Sequence, residues 1–128
     1  MLVRDRSRGH GLRDNRISMH LHALDAWVRE PSVLTDVDRL REILHAGARA
    51  GGATVVGEEF HVFPNGAVTG VLVLAQSHLS IHTWPELALA NVDLLSYGDL
   101  RAERALRVIC ELLDVEHAAV THVPRAIG

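Results

Sequence analysis

The sequence predicts an α+β fold: a two-layer α/β sandwich with a mixed, mostly antiparallel sheet and two helices on one face. Three features carry that prediction. Two stretches repeat apolar residues at three- and four-residue spacing, a hairpin signal lies between them, and the connections after it are too short for crossover helices. Each helix has one apolar stripe to bury, so a single sheet layer covered by both is the economical arrangement.

The elements follow in order. MHLHALDAW, from Met19 to Trp27, reads as a first strand and is broken by Glu30-Pro31-Ser32. Ser32 or Thr35 can cap a helix whose Leu34, Val37, Leu40, Ile43 and Leu44 share a face, ending near Gly51-Gly52. ATVVGEEFHVF and AVTGVLVLAQ, joined through Pro64-Asn65-Gly66, form a hairpin with an Asn-Gly turn, and the second arm is apolar enough for a central strand. HLSIHTW and LANVDLLSY supply two more strands. Asp99 then precedes a second amphipathic helix marked by Leu100, Ala105, Leu106, Ile109, Leu112 and Leu113, and VEHAAVTHV closes the sheet.

At 128 residues with 48% hydrophobic content the chain suits one domain, residues 18–128, preceded by a flexible arm, 1–17. The arm has charges but no apolar core of a secretory signal, and no apolar run approaches the roughly 20 residues of a membrane span. A cytoplasmic protein with no membrane partner is expected. The formal net charge of -3 gives no bias toward nucleic acid, although five arginines precede Ile17. The single cysteine excludes an intramolecular disulfide framework.

The chemistry concentrates in QSHLSIHTWPE, residues 76–86. In a strand, His78 and His82 stand roughly 13 Å apart, too far for one metal ion, and His20, His22, His61, His117 and His122 are scattered, so no metal is expected. No G-x-S-x-G elbow, G-x-G-x-x-G or Walker loop occurs. The chain also has no lysine, so it cannot anchor pyridoxal phosphate in the usual way.

SHLSIHTWPE, preceded by GVLVLAQ and followed by NVDLLSYG, closely resembles the processing and active-site segment of the bacterial and archaeal S-adenosylmethionine decarboxylase proenzymes. GGATVV, FHVFPNGAVTGVLVL and HLHALDAW resemble further family pieces, extending the likeness to roughly Met19–Val123. The resemblance implies a self-processing, pyruvoyl-dependent decarboxylase of polyamine biosynthesis. Ser77 would attack the carbonyl of Gln76 in an N-to-O acyl shift, and β-elimination would cut the chain into a β chain, 1–76, and an α chain, 77–128. The pyruvoyl group generated from Ser77 would form a Schiff base with a small-molecule substrate and act as electron sink, which accounts for the missing lysine.

By the same resemblance His82 assists processing, Thr69 stands where the family has a serine that also helps, Phe63 stacks on adenine, Glu86 binds the ribose hydroxyls and Trp84 lines the same wall. Strand spacing puts Ser80, His82 and Trp84 on one face. A homo-oligomer, dimer or larger, with sites near the interface is also implied. Taken singly, Phe63 reads as core, Thr69 as an ordinary strand residue and Glu86 as a solvated carboxylate; the segment match reverses that balance for Ser77 and His82.

Two positions depart from the family. Gln76 replaces the usual glutamate, and cleavage should survive because the acyl shift uses the backbone carbonyl. Tyr97 stands where the family has the cysteine that donates a proton to the decarboxylated carbon. A phenol has an ordinary pKa of about 10 against about 8.5 for a thiol, and it is bulkier. Three readings stay open: Tyr97 as proton donor toward S-adenosylmethionine, a pocket rebuilt for L-ornithine or L-arginine, or a non-catalytic regulatory homologue.

Overall fold

The computed structural model describes residues 1–6 and 19–125. Seven strands form one sheet: β1 (Leu2–Asp5), β2 (Met19–Val28), β3 (Val55–Val62), β4 (Val68–Leu74), β5 (Ser77–Trp84), β6 (Leu89–Tyr97) and β7 (Val115–Pro124), in the spatial order β1-β7-β2-β6-β5-β4-β3. Every pairing is antiparallel except β1 with β7. Helices α1 (Val37–Ala50) and α2 (Ala102–Leu113) cover one face. The fold class is the predicted one.

Alternation along the strands separates the two faces. Val68, Leu72 and Leu74 of β4, Leu79 and Ile81 of β5, and Val92 and Leu94 of β6 are buried beneath the helices with Leu40, Ile43, Leu44, Ile109 and Leu113. The helices themselves meet at Gly47, where an added Cβ would lie 2.6 Å from the Ile109 side chain, so no larger residue fits that crossing. Phe60 similarly lies across Gly70, its cross-strand partner, filling the space that a side chain would need.

The hairpin turns at Asn65-Gly66 as predicted. Gly66 takes φ +88°, which glycine adopts without steric cost, and Asn65 Oδ1 accepts from the Ala67 N–H at 3.1 Å. Three expectations need correction. The first helix is capped by Asp36, which accepts from the Arg39 N–H at 3.1 Å, because Pro31–Thr35 forms a separate 3-10 turn. That turn is pinned by buried Thr83, whose Oγ1 donates to the Leu34 carbonyl (2.8 Å) and accepts from the Val68 N–H (2.9 Å). Asp99 does not cap α2; Arg101 holds that position and makes no side-chain cap bond. Finally, Leu2–Asp5 belongs to no loose arm, since its backbone pairs in parallel with 117–120 of β7; the rest of the expected arm, 7–17, lies outside the described residues.

Beside α2, the pairing of β2 with β7 sets His22 opposite His122. His20 Nδ1 and His122 Nε2 are 2.7 Å apart, and the His22 and His122 rings stack at 4.7 Å. Burial, reinforced by the charge that His122 and His20 would add, holds His22 down at about 4. Between the ordinary value of about 6.5 and about 4, the unfolded chain therefore takes up a proton that the folded chain refuses, and stability falls with pH through that window. Allowing for partial exposure, the expected loss is about 1–2 kcal/mol. Urea midpoints compared above and below this window should show that loss, and His22→Gln should reduce it.

Candidate active site

The face without helices carries the polar side chains. Strand register lines up His61, Thr69, His82, Asn91 and Asp25 as a row crossing β3, β4, β5, β6 and β2. Thr69 Oγ1 and His82 Nδ1 are 2.5 Å apart. Trp84 Nε1 donates to Asn91 Oδ1 (2.6 Å), Asn91 Nδ2 donates to Asp25 Oδ1 (2.8 Å), and Arg6 pairs with Asp25. Above the row, the Phe63 ring stands 5.8 Å from His82, which lies 4.5 Å from Trp84, both edge-on. Phe63 and Trp84 keep 37% and 40% of their surface exposed, so neither is a core residue and both offer ring area to a ligand. Glu86 follows in an exposed 3-10 turn, Pro85–Leu87. Nearby, Asp93 is held above the usual carboxylate range by burial and then by the charge of Asp25, with His78 acting in the opposite sense.

Ser77 occupies the other end of β5. Gln76 is exposed in the two-residue turn Ala75-Gln76, so the 76–77 peptide sits at the rim of the sheet. The Ser77 Oγ is buried and has no hydrogen-bond partner. Five residues separate Ser77 from His82, roughly 16 Å in a strand, and odd spacing puts their side chains on opposite faces. A single copy therefore does not bring these two residues together. Tyr97 is nearer the scissile bond along the sheet, two residues beyond the Leu95 that pairs with His78; it is 38% exposed and lies on the open face, opposite to the Ser77 side chain.

Asn91 and Asp25, which tie Trp84 in place, were missed by sequence reasoning. Their signal is cross-strand register, which one sequence does not display. Among the described residues, no group of three His, Cys, Asp or Glu could hold a metal ion, and no helix is long and apolar enough to cross a membrane.

The open-faced α+β sandwich with an aromatic and imidazole row defines the class of protein. Its architecture is similar to the crystal structure of the adenosylmethionine decarboxylase from Aquifex aeolicus, with a TM-score of 0.78 and 32% identity, covering 87% of this chain and 93% of that one. The proenzymes named S-adenosylmethionine decarboxylase are similar in sequence. That of Thermodesulfovibrio yellowstonii is 35% identical over 98 residues, 76% of this chain and 73% of the relative; that of Caldanaerobacter subterraneus is 35% identical over 114, 88% and 91%. The sequence profile of the S-adenosylmethionine decarboxylase family matches residues 20–126, and the chain belongs to that family.

Proposed function

We propose that the chain is a proenzyme that cuts itself between Gln76 and Ser77 and then decarboxylates S-adenosylmethionine with the pyruvoyl group so formed. The observation that carries this reading is the Ser77 hydroxyl, buried without a partner beside an exposed peptide bond. A buried hydroxyl with no hydrogen bond is costly, and such groups call for a chemical explanation. As nucleophile, Oγ bonds to the Gln76 carbonyl carbon, the C–N bond breaks and the proton passes to the Ser77 nitrogen. Loss of the Ser77 α-proton then expels the Gln76 carboxylate, and hydrolysis of the resulting enamine releases ammonia and leaves the pyruvoyl group. That group supplies the electron sink for loss of carbon dioxide from an amine-bearing acid.

The base in this scheme is His82, oriented by Thr69, but the roughly 16 Å separation within β5 requires a second copy to supply it. A homo-oligomer in which the open face of one copy meets the Gln76–Ser77 rim of the other fits this need, and Phe63, Val73, Trp84 and Tyr97 expose apolar surface on that face. Phe63 and Trp84 present ring faces suited to a nucleoside, and Glu86 is the acid for its ribose. Intact mass of the purified protein tests the reading: fragments 1–76 and 77–128 are expected, the second with a blocked, ketone-bearing first residue. One unbroken chain under native conditions would remove the pyruvoyl mechanism and favour a regulatory homologue.

One observation favours a smaller substrate. Tyr97, at the end of β6 two residues beyond the partner of His78, puts a phenol where the family has a smaller cysteine. Release of carbon dioxide from ornithine or arginine alone would replace the nucleoside assignment. If the phenol delivers the final proton, Tyr97→Phe should leave cleavage intact and slow decarboxylation by about 10²-fold. Unchanged turnover assigns the donor elsewhere.

A further inference from the structure

We propose that the cavity between β2, β7 and the first turn of α2 binds a phosphate-class oxyanion, at a site separate from the open-face row. The cavity is about 430 Å³ and lies on the helix side of the sheet. That volume is within the range of small-ligand pockets. Its sheet wall is imidazole: His20 and His122 in contact at 2.7 Å, and His22 stacked on His122. Arg101 and Arg104 stand at the helix side, and the buried Ser96 also lines it.

Several features favour an anion here. Two arginines and one carboxylate, Glu103, line the cavity; the Arg101 guanidinium reaches over Gly52, which leaves the Arg104 guanidinium as the donor offered here. The 12-residue α2 begins without a side-chain cap, and Ala102, Glu103 and Arg104 of its first turn border the cavity, which adds the positive end of the helix. His22 Nδ1 is buried without a hydrogen-bond partner. Imidazoles packed this closely resist protonation: burial and mutual charge lower both His20 and His22, and a bound oxyanion would oppose that effect. The other charged groups around the cluster are Arg107 from α2 and Asp5 from β1, with Met1 at the start of the chain. An oxyanion accepts from imidazole, guanidinium and backbone N–H groups alike.

Inorganic phosphate titrated into the full chain, followed through histidine ring signals by NMR, is the test. Saturable shifts are expected for His20, His22 and His122 among the nine histidines, with His20 and His22 titrating at higher pH when phosphate is bound. Arg104 is exposed, so Arg104→Gln keeps the fold and should weaken binding about three- to fivefold. Glu103→Gln, which removes the competing carboxylate, should tighten it by a similar factor. A parallel titration with glycerol phosphate separates the sources: tighter binding assigns the site to a phosphomonoester, equal or weaker binding to free phosphate. No saturable shift, or identical affinity in both variants, overturns the proposal. The readout involves no decarboxylation, so it stands or falls independently of the proposed reaction.

Discussion

Ser77→Ala should yield one uncut 14.0 kDa chain with no decarboxylase activity on any of the three candidate substrates. The expected loss is complete, because the substitution removes both the nucleophile for chain cleavage and the carbon skeleton from which the pyruvoyl group is made. It should not unfold the protein. The Ser77 Oγ makes no hydrogen bond, so its removal forfeits none and relieves an unsatisfied buried oxygen, a change of about 0–1 kcal/mol in the favourable direction. Loss of cleavage with an unchanged urea midpoint therefore separates chemistry from folding. Ser77→Cys, which keeps a nucleophile on the same carbon, should still cleave but more slowly. If Ser77→Ala were still cut at the same place, the scissile bond assignment would be wrong.

The fold was legible where local chemistry determines it. Periodic apolar residues located both helices, and Asn65-Gly66 located the hairpin because its turn, closed by the Gly66 N–H on the Phe63 carbonyl, needs a positive φ at Gly66 that glycine adopts without steric cost. The helix starts were less legible. Ser32 and Thr35 were the expected caps of the first helix, and Asp36 takes that place because Pro31–Thr35 forms a separate turn held by a contact 49 residues distant, from Thr83 to the Leu34 carbonyl. β1 was invisible for a related reason: LVRD has no recognisable pattern until β7 offers it an edge. For the site, residue types were readable and their company was not. Thr69 and His82 are 13 residues apart yet touch, whereas Ser77 and His82 are five apart and face opposite ways. His20, His22 and His122 appeared scattered for the same reason, since strand register alone unites them.

His82→Ala should slow self-cleavage by about 10²–10⁴-fold, the usual contribution of a positioned general base. The effect should be shared with Thr69, whose hydroxyl contacts His82 Nδ1 at 2.5 Å and so holds the ring's orientation. Thr69→Val is then expected to slow cleavage less than His82→Ala, Thr69→Ser to preserve it, and the double variant to match His82→Ala alone because the two act as a unit. Geometry makes a sharper prediction. If His82 lies roughly 16 Å from Ser77 of its own chain, it acts on a neighbour, and two dead variants should rescue each other. Co-expressed with Ser77→Ala, the His82→Ala chain retains a nucleophile and gains a partner's base, so it should be cut while the Ser77→Ala chain stays whole. Mass spectrometry with differently tagged chains identifies which one is cleaved. Mixed oligomers that form but remain uncut would refute the transfer between copies, and would require β5 to rearrange within one chain before Ser77 could react.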